Sequence, residues 1–338
     1  MMHSRRGFGA VDASRRQAGT GGRTVMMVLV ADLGGTHIKL GLVDGQRLLA
    51  RGIIPSHSDC TLEQRLPAIA GAFARLCSDA QIKVGQCGGV AFGVPTLADI
   101  QRGRATTQFA KFSDIVDLDL IGWCERTLGL PFAIENDARA AAVGEWLYGA
   151  GRGCDNLAVI TLGTGIGTAV ILGGRPLRGP HGQAGNLCSH FPYRPGAGLC
   201  SCGVDGCFEA SSASWSLPRR AALTPGFGES PLSREKTIDY AAVFRLAAEG
   251  EGVSLILRAQ ALEAWGDLCV GMIHAFDPER VVIGGGIMRS ADVIVPAVQK
   301  RIDDHAVMPC QRVAVHAAEC GDDAALLGLA HILRERVQ

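Results

Sequence analysis

A duplicated α/β fold, two halves facing each other across a cleft, is the architecture this sequence predicts. At ADLGGTHIK (31–39) a strand runs into a glycine turn and out into a second strand, and the same event recurs at TLGTGIG (161–167). Each hairpin opens a stretch in which strands and helices alternate. The length agrees: 338 residues exceed the roughly 250–300 at which single cores stop growing.

The elements follow in order. Residues 1–25 are basic and lack apolar periodicity, so they read as a tail outside the fold. Within that tail SRRGF has the look of a twin-arginine export signal, but the apolar stretch such a signal needs does not follow. Met26 or Met27 would serve equally well as a start, because folded sequence begins there. Two or three antiparallel strands are expected over 25–55, with an Asp44-Gly45 hairpin signal between the last two. TLEQRLPAIAGAFARLCSDA (61–80) reads as an amphipathic helix, GQCGGVAFGVP as a strand, and DLIGWCERTLGLP as a helix stopped at Pro131. FAIEND is a short strand and ARAAAVGEWLYGA a helix of small residues. Helices over about 237–249 and 253–276, a strand at PERVVIGGGI, a helix at ADVIVPAVQKRIDDH, a strand at VAVHAA and a closing helix complete the chain. The expected division is a smaller lobe over 26–136, joined by the closing helix at about 323–338, and a larger lobe over 137–322.

Composition narrows the function classes. Lys+Arg and Asp+Glu are equal at 33 each, so no basic surplus points to nucleic acid. No apolar run approaches the roughly 20 residues of a membrane span. Most of the twelve cysteines are scattered, often in apolar runs, a pattern that suits a reducing, cytoplasmic setting better than a disulfide framework.

Three glycine turns are candidate phosphate or nucleotide contacts. In ADLGGT, Gly34 and Gly35 would let backbone N–H groups face an anion, and Asp32 could hold a hydrated Mg²⁺. The same residues would also serve an ordinary hairpin turn. In TLGTGIG, Thr161 and Thr164 offer hydroxyls. The motif is not a Walker loop, since no Lys follows at the required place. A Rossmann fingerprint is excluded too, because a strand follows instead of a helix. IGGGI (283–287) could pass against a base or ribose. Asn136 and Asp137 sit where a strand meets a helix. Asp137 there is either a helix cap or, in a cleft, a group that takes a proton from a hydroxyl.

The stretch HGQAGNLCSHFPYRPGAGLCSCGVDGCFEA (181–210) carries the most specific signal. His190, Cys200, Cys202 and Cys207 make a Cys3His set suited to tetrahedral Zn²⁺, with Gly198, Gly203 and Gly206 letting the loop close. Cys188 and His181 fall outside the spacing. Four protein ligands close the site, so the metal is expected to be structural. A DNA-binding zinc ribbon does not fit, since no basic helix follows and Glu209 comes two residues after the last thiol.

Taken jointly, DLGGT, ENDARAAAVGE, TLGTGIG, CSCGVDGCFE and IGGGI, in that order, resemble the ROK family of sugar kinases and related repressors, from about residue 28 to the C-terminus. The resemblance implies the actin-like, ribonuclease H-like two-lobe ATPase fold with a zinc-binding loop. It implies an ATP-dependent hexose kinase acting on glucose or an N-acetylhexosamine, at the 6-hydroxyl, with Asp137 as general base. Asn136, Asn186, His190 and Glu209 would face the sugar. Gly34, Gly35 and Thr36, with Gly163, Thr164 and Gly165, would form the two phosphate loops, accompanied by Lys39 and Thr161. Asp32 would serve Mg²⁺, and Gly284, Gly285 and Gly286 the adenosine. A homodimer is implied as well. Relatives commonly read A-G-E-x-G-H where this chain has Ala184-Gly185-Asn186-Leu187-Cys188-Ser189-His190, with Asn for Glu and one residue added. Thr96-Leu97-Ala98 also follows the Gly-Val-Pro turn where relatives often place another glycine. Both departures lie on the sugar side, which leaves a sugar-binding protein without kinase activity as an alternative. A repressor would need a helix-turn-helix ahead of DLGGT, and the short tail offers no periodicity for one.

Overall fold

The computed structural model describes residues 26–108 and 111–337, so the basic-tail reading of 1–25 lies outside the described residues. The first half comprises β1 (Met27–Leu33), β2 (His37–Asp44), β3 (Arg47–Pro55), α1 (Leu66–Asp79), β4 (Gly89–Val94), the small hairpin β5 (Ala98–Asp99) and β6 (Arg104–Ala105), α2 (Leu120–Leu128) and β7 (Phe132–Asn136). Its main sheet has the order β3-β2-β1-β4-β7. β1 to β3 pair antiparallel, while β1, β4 and β7 run parallel. Burial explains the sequence pattern. β4 is buried throughout and reads as an unbroken apolar run, as a strand covered on both faces must. β3 alternates half-buried and exposed residues, as an edge strand does.

α3 (Asp137–Tyr148) leads into the second half: β8 (Leu157–Leu162), β9 (Ile166–Ile171), α4 (Phe208–Ser212), α5 (Leu217–Ala222), α6 (Tyr240–Ala248), α7 (Gly252–Phe276), β10 (Arg280–Gly284), α8 (Ala291–His305), β11 (Ala314–Ala317) and α9 (Ala324–Val337). The second sheet is ordered β11-β10-β8-β9, with β9 antiparallel to the rest. The duplicated α/β reading therefore holds, with a glycine-turn hairpin opening each sheet.

One core lies on the α1 and α2 face of the first sheet, around Phe73, Phe92 and Phe132; the Phe92 and Phe132 rings meet edge-on at 5.2 Å. Another gathers α6, α7 and α8 around Trp265. A third joins the sheets through Val30, Ala91, Val159 and Leu329. It includes α3 and α9, which cross so closely that a Cβ on Gly144 would strike the Ala324 carbonyl and one on Gly328 the Ala140 carbonyl. The buried Glu145 carboxylate fixes the same junction by accepting from the backbone N–H groups of Ala150, Glu319 and Cys320.

Some boundaries move for local reasons. The helix expected over 61–80 starts at Leu66, because Asp114 takes the N–H groups of Leu62 and Glu63 and holds the preceding residues in turns. α2 stops before Pro131, at Gly129, whose φ of 66° closes it. The β5–β6 hairpin and the short α4 and α5 were not expected, being too short to show periodicity. No helix among the described residues is long and apolar enough to cross a membrane.

Candidate active site

Parallel strands that end together leave a crevice beyond their carboxyl ends. Register aligns Asp32 of β1 with Gly93 of β4, and Val94 with Asn136 of β7. In the second sheet Thr161 lies beside Gly284. Both sets of strand ends open on one cavity of about 610 Å³. Gly34, Gly35, Gly163, Thr164 and Gly165 line its phosphate-suited side, and Thr161 and Gly285 stand with them. Asn136, Asp137, Asn186, His190 and Glu209 line the rest. Asp32, Thr36, Lys39, Gly284 and Gly286 do not border it.

Asp137 is the first residue of α3 and Asn136 is its cap, so the capping function expected as one reading of Asp137 falls on its neighbour. Asn136 Oδ1 accepts from the Arg139 N–H at 3.0 Å, and its Nδ2 donates to Asp137 Oδ1 at 3.0 Å and to the Thr96 carbonyl at 3.2 Å. The Ala138 N–H adds a 2.7 Å bond to Asp137 Oδ1. The carboxylate is thereby aimed before any ligand arrives. Burial raises its pKa, opposed by the Lys111 ammonium and by these hydrogen bonds.

Asp32 lies behind the first glycine turn. Its Oδ1 is buried and takes no hydrogen bond among the described residues. Burial, then the nearby Asp137 carboxylate, pushes its pKa up to about 7, against the pull of Lys39 and Lys111. A buried, unsatisfied carboxylate oxygen suits a hydrated divalent cation such as Mg²⁺. Lys39 itself is held by Asp322 at 2.6 Å. The glycine turns are braced from outside. Ser56 and Ser58 hydroxyls donate to the carbonyls of Gly34 and Gly35 at 2.6 and 2.8 Å. The Trp215 N–H donates to the Thr164 carbonyl at 3.0 Å. Gly285 has a φ of 97°, and a Cβ there would run into the backbone of Leu162, so only glycine lets the third turn lie against the second.

The wall opposite the glycine turns is built by a buried ion cluster. Glu135 is fully buried and binds Arg139 at 2.9 Å and Arg178 at 2.7 Å. Arg139 also donates to the Gly182 carbonyl at 2.9 Å. Two guanidinium groups on one carboxylate tie β7 and α3 to residues 178–184, an arrangement costly to break from one side. Asn186 turns its amide inward, donating to Asn136 Oδ1 at 2.8 Å and the Thr168 carbonyl at 2.9 Å. Glu209 Oε2 accepts from the Ile166 N–H at 2.9 Å and Oε1 from the Trp215 indole at 3.3 Å, so it joins this wall to the second glycine turn.

His190, Cys200, Cys202 and Cys207 converge, their ligand atoms all within 4.8 Å of one another. His190 Nδ1 is 3.7 Å from Cys200 Sγ and 4.0 Å from Cys207 Sγ. Ligands around one tetrahedral zinc stand about 3.3–3.8 Å apart, so the four donors form a set slightly wider than a filled site, of the right number and chemistry to draw in on such an ion. Asp205 folds the loop by accepting from the N–H groups of Gly196 and Gly198. Cys188 is buried elsewhere and bonded through its N–H to Thr168, and His181 lies outside the cluster, both as expected.

The ROK family model matches residues 28–336. The chain belongs to the ROK family. A glucokinase of Thermotoga maritima is 31% identical over 92% of this chain and 98% of its own length. An N-acetylmannosamine kinase of Vibrio vulnificus is 29% identical over 92% and 99%. Among solved structures, a ROK family glucokinase from Streptomyces griseus in complex with glucose and AMPPNP superposes with a TM-score of 0.77, at 28% identity, covering 91% of this chain and 99% of that one. The duplicated two-lobe ATPase fold implied by the sequence is the fold of these ROK neighbours.

Several residues of this ROK site gave no sequence signal. Glu135 and Arg139 stand at helical i, i+4 spacing, which hints at a pair but not at its burial. Arg178 lies 43 positions from Glu135 in the chain, and only the fold brings them together. Lys111 lines the cavity from a segment that has no motif.

Proposed function

We propose that this ROK protein transfers the γ-phosphoryl group of ATP to a hydroxyl of a hexose or N-acetylhexosamine, the 6-hydroxyl by preference. That it is a sugar kinase rests on its family and on relatives matched over nine-tenths of its length. The observation carrying the finer reading is the position of Asp137, anchored at a helix start between two anion-suited glycine turns and a polar wall. Asp137 takes the proton of the sugar hydroxyl as its oxygen forms a bond to the γ-phosphorus and the bond to the ADP oxygen breaks. The turns at Gly34–Gly35 and Gly163–Gly165 would offer backbone N–H groups to the phosphates, those of Gly34 and Gly163 being bonded within the turns themselves, with Thr161 and Thr164 beside them. Asp32 would hold Mg²⁺ through water, and the metal would offset phosphate charge. Gly284–Gly286 would flank the adenosine. His190 and Glu209 would contact the sugar, with Asn136 and Asn186 fixing the wall behind them. The Cys3His cluster would hold structural zinc.

Asp137→Asn is the direct test. Turnover should fall by roughly 10³–10⁴-fold while sugar binding by calorimetry stays measurable. Activity within tenfold of wild type would remove Asp137 from the role of base.

A further inference from the structure

We propose that Lys111 is a further catalytic residue, contacting the phosphoryl group in transfer from the first-sheet side of the cleft; the proposal rests on the kinase reading above. Lys111 borders the cavity together with Asp137 and both glycine turns. Its Cε and Nζ lie 3.0 and 3.4 Å from where a Cβ on Gly35 would be, so its stem covers the first turn and its ammonium stands beside it. Gly35 has no side chain to displace it.

The placement is built. Phe112, the next residue, has a fully buried side chain in the first core. Its backbone takes a φ of 50°, a region that aromatic residues occupy only when their surroundings impose it. The Phe112 N–H donates to the Ser58 carbonyl at 2.9 Å, and the Ser58 hydroxyl donates to the Gly35 carbonyl. Lys111 and the glycine turn thus hang on one hydrogen-bonded frame. Among the described residues no hydrogen bond or ion pair occupies its ammonium, although its charge reaches both Asp32 and Asp137 and favours their ionised forms.

The chemistry follows from that position. A cation that borders the cavity with both glycine turns and the proposed base stands where donor phosphate and acceptor hydroxyl would meet. Sugar contacts would come from the opposite wall, at His190 and Glu209. Lys111 would therefore stabilise charge on the oxygens of the phosphoryl group as its bond to ADP breaks and its bond to the sugar oxygen forms, with no proton of its own lost.

Lys111→Met and Lys111→Arg test this on the full chain. In Lys111→Met, kcat should fall by roughly 10²–10³-fold, the size of removing one preorganised donor, with the sugar KM within about threefold. Lys111→Arg should recover part of kcat. Independently of turnover, calorimetry with Mg²⁺ should show AMPPNP affinity reduced at least roughly tenfold in Lys111→Met, and ADP affinity, which lacks the γ-group, within about twofold. Equal losses for both nucleotides, or a kcat within threefold of wild type, would overturn the role. A wild-type protein that phosphorylates no sugar would overturn the kinase reading, and the nucleotide comparison would still decide on Lys111. A wild type that binds neither nucleotide overturns both.

Discussion

Asp32 shows what the site costs at the scale of one residue. Its pKa is raised to about 7 from an ordinary 3.8. Between those limits the folded protein holds a proton that the unfolded chain has released, so its contribution to stability falls as pH rises from about 4 to about 7. Without Mg²⁺ and nucleotide, Asp32→Asn should be the more stable protein at pH 8, by roughly 1–3 kcal/mol, with the gap closing by pH 4–5. Urea denaturation at the two pH values checks this, and equal stability at pH 8 would contradict it. A buried carboxyl with one oxygen unsatisfied and its pKa raised fits the cation-holding role proposed for Asp32. Asp32 and Asp137 act on one another, so an acid limb in the rate profile belongs to the pair. The residue scale is also where sequence was least informative. Asp32 and Asp137 were legible because each stands in a motif at the end of a strand or just beyond it, whereas Lys111 and Arg178 reach the site through tertiary placement alone.

Among the elements, the loop from Cys188 to Trp215 does more than bring the four Cys and His donors together. Through His190 it borders the cavity; through Glu209 and the Trp215 N–H it braces the turn at Gly163–Gly165. Stripping metal with a chelator should therefore raise the sugar KM by roughly tenfold or more. Hydrogen exchange should lose protection over 188–215, while β1 to β3 keep theirs. Unchanged protection over 188–215, or no bound metal by elemental analysis, would contradict a structural ion. This loop was readable from spacing alone, since His190, Cys200, Cys202 and Cys207 are close in sequence as well as in space. The long strands were readable as apolar runs bounded by turn residues, and α7 by its length. The two-residue strands β5 and β6 and the short α4 and α5 were not, because a turn or less of helix carries no period. Asn186 was read as a group facing sugar, and what sequence could not show is that its amide protons go to Asn136 and Thr168.

At the scale of the molecule, the chain builds one sheet, then the other, and returns through α9 to pack on β1, β4 and β7 of the first. The crossing of α3 and α9 at Gly144 and Gly328 makes the helix that carries Asp137 part of the seam between the halves. Order of motifs told this architecture in advance, because each half announces itself with the same strand–glycine–strand hairpin. The departures at Asn186 and Thr96 border the cavity, on the wall proposed to face the sugar, so family alone does not choose the acceptor. The measurement that bears most directly on the account is sugar-dependent ADP release by the metal-replete protein with ATP and Mg²⁺, across glucose, mannose, fructose, allose and the N-acetylhexosamines. The account predicts that at least one of these sugars drives ADP release matched by sugar phosphate, and that Asp137→Asn releases it roughly 10³–10⁴-fold more slowly. Folded, metal-loaded protein that releases no more ADP with any of them than without would contradict it.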